Sequence, residues 1–448
     1  MNPFQIIQYI RDKNIKYIRF EVSDTYGVAR SKTITSRHFN RFATEGLNLY
    51  LGIFGFDPQA NMVESTGFHK ELNYADGQFF PEYDTFTLIP WCPNTARVLV
   101  NPKLEGKPVC VAPRNVALKQ LDRLAKLGMS LYSAHELEFY LVDKETRKPV
   151  TEGKNIYSTI RNCAVETDFL HYVVDELPNV GVIPECFACE YGPGQLEITY
   201  SPAFGISAAD NAHTFKTSVK EIAQQKGYIA SFMSKPYPEH NGSSSHFNHS
   251  LWDIEGKNNL MYDAKEPYGL SKTAQHWIAG VLAHIPAITI MLSPTINCLK
   301  RFSQSECTPK RATWGIENRS CTLRVKNNGE KGTYVENRLG ASGSNPYLSL
   351  AATVAAGIDG IQRQLPLLPQ VTGDARGPMA PPSAARVPDN MEDALKAFAK
   401  DKVICEALGE EFCKCFGALK LHELKLEKEA KATGKEDKWE QDLFFEYL

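Results

Sequence analysis

The chain lacks a strong charge of either sign: 50 Lys and Arg stand against 52 Asp and Glu, a formal net charge of −2 with pI near 6.6. Without a basic field, neither a nucleic acid nor an anionic membrane is indicated as a partner. The glycine-rich phosphate loops G-x-G-x-x-G and G-x-x-x-x-G-K-[ST] are missing too, which removes the usual signatures of Rossmann and P-loop folds. Paired cysteine motifs are scarce. Eleven cysteines are scattered, and the one C-x-x-C, Cys186 to Cys189, has no second pair or histidine knuckle to complete a zinc site. An odd, dispersed set of thiols fits a reducing, cytoplasmic setting. The opening "MNPFQIIQYIRDKNIKYIRF" has charges where a signal peptide has its apolar core, so no leader is expected. One run, "WIAGVLAHIPAITIMLSPTI", reaches the length of a membrane span but carries His284, Pro286 and Pro294, and is read as a buried pair of core helices.

What is present is ordinary globular composition on a long chain: 448 residues, 43% apolar and 10% aromatic, about two to three domains' worth. The first hundred residues read as one opening helix and then strands and turns: "YIRFEVSD", the turn "TYG", "VARSKTIT", "FTLIPW" and "ARVLVNP". A helical pattern follows in "NVALKQLDRLAKLG", with Val116, Leu118, Leu121, Leu124 and Leu127 as an apolar stripe ending at Gly128. These features predict a small β-rich domain over 1–103 and a mixed α+β domain over 104–448. A Pro-rich stretch from Leu365 to Pro388 reads as an ordered loop or linker, and amphipathic helix returns from Met391.

Chemistry concentrates in four predicted strands. In "HELEFYLVD", Glu136 and Glu138 share a face opposite Leu137, Phe139 and Leu141; in "GQLEITYS", Gln195, Glu197 and Thr199 oppose Leu196 and Ile198. "SSSHFNHSLW" sends His246, Asn248, Ser250 and Trp252 one way and Phe247, His249 and Leu251 the other, which makes His249 a core residue or one that supports the site from behind. "TYVENRLG" adds Glu336 and Arg338 on one face with Tyr334. With Glu190 before the "YGPG" turn, this makes five carboxylates and one imidazole. Such a set repels itself and needs cations, and oxygen-rich ligands with one histidine suit Mg²⁺ or Mn²⁺. Arg301, Arg319, Arg324 and Arg338 lie in neighbouring segments, and guanidinium forks bind carboxylates and phosphates. An anionic substrate follows.

These residues carry a resemblance. "HELEFYL", "EYGPGQLEI", "NGSSSHFNHSL", "WGIENRS", "VENRLG" and "NPYLSLAATVAAGIDGI" are similar, in order, to the signatures of class I glutamine synthetases. "IRFEVSDTYGVARSKTI", "FGISAADNA" and "GEKGTYVENRLG" resemble the lengsin-like branch. The resemblance implies an α+β glutamine synthetase fold, with an N-terminal β-grasp domain beside a glutamine synthetase/guanido kinase-like catalytic domain. It also implies a homo-oligomer, a dodecamer of two hexameric rings with shared sites, and "KWEQDLFFEYL" offers Trp439, Phe444, Phe445 and Leu448 as its apolar dock. Glu138, Glu190 and Glu197 would hold one metal, and Glu136, His246 and Glu336 the other. Asn241, Gly242, Arg301 and Arg338 would hold glutamate. Arg319 and Arg324 would face the phosphates, with Arg324, Asn248 and Ser250 toward the nucleotide. Glu306 stands one residue from the place of the family's active-site flap glutamate. The resemblance implies a reaction in which ATP would phosphorylate the glutamate γ-carboxylate and ammonia or another amine would then displace phosphate.

Departures from that pattern define two readings. Tyr50 and Ile53 stand where the family places the aspartate and serine that bind ammonium. Asn248 replaces a histidine, Tyr334 replaces an arginine that faces the phosphates, and Ala188 and Cys189 replace a histidine pair. One reading is a ligase that takes an organic amine in preference to ammonia. The other is a catalytically silent, lengsin-type oligomeric protein whose interfaces matter.

Overall fold

The computed structural model describes residues 1–304 and 308–448. The helix Pro3–Asp12 opens on a capping box, the Asn2 side chain accepting from Gln5 N and the Gln5 side chain from Asn2 N, and packs Ile6 and Ile10 inward. Behind it lies a seven-stranded sheet built from Tyr17–Ser23, Ala29–Thr35, Leu47–Tyr50, Asp76–Pro81, Thr87–Leu88, Thr95–Leu104 and Lys107–Pro108. The first and sixth of these pair in parallel, Tyr17 opposite Thr95, and the rest pair antiparallel. Sequence patterning finds Tyr17–Ser23, Ala29–Thr35, Thr87–Leu88 and Thr95–Leu104 but misses the edge strand Leu47–Tyr50 and its neighbour Asp76–Pro81. The latter reads "DGQFFP", where glycine and proline mask the alternation.

A nine-stranded sheet forms the rest, and its centre is the fifteen-residue strand Met129–Asp143. Ser245–Asp253 pairs along one edge of that strand; Gln195–Tyr200, Ala203–Phe204 and Tyr228–Ser231 pair with it elsewhere. Tyr334–Asn337, Leu323–Lys326 and Trp314–Ile316 extend the sheet on one side, and Pro184–Cys189 ends it on the other. This is a mixed sheet, as the α+β reading requires. Its back is covered by Pro113–Ala125, Ile206–Gln225, Lys272–Leu292 and Pro346–Arg363. The apolar run of the sequence is the Lys272–Leu292 helix, buried in this core despite a length and hydropathy that would span a membrane. Pro286 sits inside it, and the break falls after Leu292, before Ile296–Gln304. His249 is core, as expected: its Nε2 accepts from Trp277 Nε1 at 3.0 Å.

The C-terminal aromatics dock on their own chain, where the sequence reading expected a subunit contact. Phe444, Phe445 and Leu448 are at most 2% exposed, packed with Tyr26, Val142, Ile229 and Met233, while Trp439 is half-buried against them. Burial of Phe444, Phe445 and Leu448 commits these three side chains to the core of their own chain, and only part of Trp439 stays exposed.

His284 shows how helices of this core are joined. Its Nδ1 lies 2.6 Å from Asp401 Oδ2 and its Nε2 2.9 Å from Asp359 Oδ2, with Arg363 3.0 Å from the same Asp359 oxygen. Burial alone would lower its pKa, but the hydrogen bonds to Asp401 and Asp359, and their charges, overcome this and raise it. A raised folded pKa contributes stability that is complete below the unfolded value of about 6.5 and is lost as pH rises through the folded one. The melting temperature of His284→Gln is therefore expected to lie furthest below wild type at about pH 5.5–6.5 and to converge on it as pH rises. A pH-independent difference in thermal melts would contradict this.

Candidate active site

Register places the chemical residues side by side. Across adjacent strands Glu197 sits opposite Glu138, His246 opposite Glu136, Asn248 opposite Glu336, and Arg324 opposite Glu336. Because side chains alternate along a strand, these neighbours all share one face. Glu190 arrives from the end of Pro184–Cys189, its amide bonded to Gln195 O at 2.8 Å. Cys186 and Cys189, three apart on that strand, point apart: Cys186 Sγ meets Thr199 Oγ1, and Cys189 Sγ accepts from Ser158 N.

The shared face lines a cavity of about 410 Å³ that includes Glu136, Glu138, Glu190, Glu197, His246, Asn241, Gly242, Arg301, Arg319 and Arg338. The Glu138 carboxylate accepts from Ser244 N at 2.9 Å, Gln195 Nε2 at 3.0 Å and the Ser244 hydroxyl. Nδ1 of His246 lies 3.3 Å from Glu136 Oε1 and 3.4 Å from Glu336 Oε1, and ligand atoms of these three residues lie within 4.8 Å of one another. Glu336 is clamped further by Arg324 at 3.0 Å and by Arg338. Gly242 is required where it stands, since a Cβ there would lie 2.6 Å from Arg301 Cγ.

Electrostatics show what the cavity can hold. Burial, followed by the charges of Glu138 and Glu136, pushes Glu190 up to about 8; burial, followed by Glu136, Glu138 and Glu190, pushes Glu197 up to about 10. Burial would also raise Glu136, but its hydrogen bond to His246 and that ring's charge hold it down at about 2. Carboxylates pressed together this way share protons or gain cations. Hard divalent ions fit such a donor set: Glu136, His246 and Glu336 could hold one, and Glu138, Glu190 and Glu197 a second. Burial lowers the pKa of Arg301, which is 4% exposed and donates to Gly340 O at 3.0 Å.

A second cavity of about 470 Å³ meets the first at Glu136. Asn248 and Ser250 line it, with Tyr132, Trp252, Lys331 and Tyr334. Tyr132 packs against Phe204 at 4.5 Å and Trp252 at 5.8 Å, so aromatic rings gather at one end. Asn248 Nδ2 donates to Glu136 Oε2 at 3.3 Å, and Ser250 Oγ accepts from Trp252 Nε1.

Not every expected residue joins these cavities. Arg324 lines neither and is engaged by Glu336 and, at 2.6 Å, by Glu317. Tyr50 and Ile53 line neither. Tyr50 donates to or accepts from His69 Nδ1 at 2.8 Å, and Ile53 is buried in the core of its own chain. Glu306 lies outside the described residues. Sequence reading missed Tyr157, Tyr191 and Arg376 in the first cavity and Tyr132 in the second. Tyr132 shares the face of Glu136 by alternation and was legible; Arg376 comes from irregular chain and carried no periodic signal. Tyr157 holds φ +55°, a left-handed backbone that a non-glycine residue adopts at a cost of about 1–3 kcal/mol. The 151–157 segment around it is tied to the Glu190–Gly192 turn by Arg161, which donates to Glu190 O, Gly192 O and Asn155 O.

Comparison with known proteins adds likenesses along the whole chain. Residues 110–439 match the family described as glutamine synthetase, catalytic domain. Lengsin of Rattus norvegicus is 36% identical over 433 residues, 94% of this chain and 75% of that protein. The glutamate–isopropylamine ligase of a Pseudomonas species is 30% identical over 95% of both chains, and the glutamate–methylamine ligase of Methyloversatilis universalis is 32% identical over 91% of this chain and 92% of its own. Among solved structures, a GmaS/ADP complex superposes with TM-score 0.83 at 26% identity, covering 97% of this chain and 98% of the other.

Proposed function

The chain belongs to the glutamine synthetase family, and we propose that within it the chain is an ATP-dependent ligase that joins the γ-carboxylate of glutamate to an organic amine, through a γ-glutamyl phosphate. One observation carries this reading: the carboxylates of Glu136, Glu138, Glu190 and Glu197 meet His246 in a single cavity that also receives Arg301, Arg319 and Arg338, and Glu336 stands 3.4 Å from that histidine. Glu138, Glu190 and Glu197 would hold one divalent ion, magnesium or manganese, and Glu136, His246 and Glu336 the other. When bound, such ions neutralise phosphoryl charge. The chain's own groups do the rest. Arg301 and Arg338, with Asn241 and Gly242, fix the glutamate; Arg319 at the cavity mouth faces the phosphoryl group; Asn248, Ser250 and the rings of Tyr132 and Trp252 receive the nucleotide.

In the first step the γ-carboxylate oxygen attacks the terminal phosphorus and ADP leaves. In the second the amine nitrogen attacks the acyl carbon, inorganic phosphate leaves, and the amine's proton passes to a carboxylate. The 30% and 32% identical alkylamine ligases favour an organic amine, and so does the loss of a carboxylate at Tyr50. Tyr157 and Tyr191 at the first cavity add aromatic surface suited to an alkylammonium.

We further propose a two-ring dodecamer in the cytoplasm. Its support is the position of Tyr50 and Ile53 outside the two cavities described above, and the free state of the ten described cysteines. The seven-stranded unit, up to about residue 103 with a last short strand turned back on it, would be the β-grasp domain. Phosphate release from ATP and glutamate, measured with ammonium, methylamine, isopropylamine and polyamines, tests the function. At least about tenfold preference for an alkylamine over ammonium is expected, since each buried CH₂ contributes about 0.8 kcal/mol. Efficient glutamine formation would overturn the amine reading. A second reading, the silent assembly, is favoured by Tyr334 and Asn248 in the nucleotide-side cavity and by Arg324 engaged with Glu336 and Glu317; metal binding without phosphate release from any amine would establish it.

A further inference from the structure

Lys216 is a buried cation with no carboxylate within ion-pair distance among the described residues. It leaves the Ile206–Gln225 helix 5% exposed, passes the face of Phe232 at 5.2 Å, and donates from Nζ to Ser342 O at 3.0 Å and Ser344 O at 3.2 Å. An uncompensated charge inside a protein is costly, so the contacts that retain it have consequences.

Those two carbonyls belong to a turn on which the glutamate end of the first cavity depends. Ser342 Oγ donates to the main-chain oxygen of Glu138, and Ser342 N to Ser243 O at 3.2 Å. Gly340 O accepts both Arg301 Nη1 at 3.0 Å and Ser245 N at 2.9 Å. Gly343 N reaches Ser234 Oγ, and Ser344 N closes the turn on Ala341 O. Arg301, Glu138 and the 243–245 segment thus all hang on residues 339–345.

We propose that Lys216 is a positioning residue: its ammonium gathers the carbonyls of Ser342 and Ser344, fixes the 339–345 turn, and so sets Arg301 and Glu138 for substrate. The inference rests on the reading of this cavity as a glutamate site. Charged and titratable groups around the ammonium are Lys220 one turn on, His135 on the Met129–Asp143 strand and Cys298 on the Ile296–Gln304 helix; His135 is held neutral, its pKa lowered by burial to about 3. Burial brings Lys216 itself down to about 8.

Calorimetric titration of glutamate in the presence of Mg²⁺, on the full chain, tests this with Lys216→Met and Lys216→Arg. Charged hydrogen bonds of this kind predict about a tenfold or greater loss of glutamate affinity in Lys216→Met, partly restored in Lys216→Arg. Equal affinities in wild type and Lys216→Met overturn the proposal. If wild type itself binds no glutamate, the glutamate reading fails, and amide exchange decides the positioning role separately: residues 339–345 exchange faster in Lys216→Met if it holds, at the wild-type rate if it does not. Should Lys216→Met fail to fold, wild type alone suffices. Protection of 339–345, corrected for intrinsic exchange, falls between pH 7 and pH 9 as the ammonium is lost, and constant protection refutes the role.

Discussion

Glu336→Gln is expected to lower manganese affinity by at least about 10–100-fold, the range found even for groups that only support a ligand, and to remove phosphate release from ATP. The carboxylate is 3% exposed and stands 3.4 Å from His246, with Arg324 and Arg338 bound to its two oxygens. An amide keeps the shape but removes the negative charge, so one cation ligand and the partner of two arginines are lost together. Glu138→Ala acts on the other ligand set and is expected to weaken the second metal independently. Manganese binding, followed by electron paramagnetic resonance, would show unchanged stoichiometry and affinity in both variants if the two-metal assignment is mistaken.

Deleting residues 439–448 is expected to unfold the protein at ambient temperature. Leu443, Phe444, Phe445 and Leu448 are at most 5% exposed, and burial of such side chains contributes about 1.5–3 kcal/mol each. Together that is about 6–12 kcal/mol, comparable with the whole stability of about 5–15 kcal/mol. Polar contacts disappear as well. Glu440 bridges Asn297 at 2.7 Å and Lys300 at 2.7 Å, on the helix that presents Arg301. Main-chain oxygens of Phe445 and Leu448 accept from Ser231 Oγ and Phe232 N. A cooperative melt close to that of the full chain, by circular dichroism, would show that this segment is dispensable to the fold. The same experiment separates two roles: an interface segment would yield folded small oligomers, whereas a core segment yields no folded chain.

Legibility varied with how local the signal is. Alternation in "HELEFYLVD" and "GQLEITYS" sufficed to place Glu136, Glu138 and Glu197 on one face, because a strand permits no other arrangement. Ordered motifs sufficed for the family. Tyr157 and Arg376 escaped because each reaches the cavity from irregular chain, where side-chain direction has no period. The closing "KWEQDLFFEYL" misled for a related reason: an apolar cluster at a chain end is the same string whether it covers its own core or a neighbour's.

The sequence by itself determined the α+β class, the family, the shared face of the carboxylates and histidine, and the core role of His249, since period and ordered motifs are properties of the string. Tertiary structure alone decided which charges meet: that Arg324 closes on Glu336 and Glu317 and stays outside both cavities, that Lys216 reaches Ser342 and Ser344 across 126 and 128 residues, and that His284 is gripped between Asp359 and Asp401. Such pairings depend on strand register and helix packing between distant segments, and a long, flexible charged side chain takes the partner that burial leaves within reach.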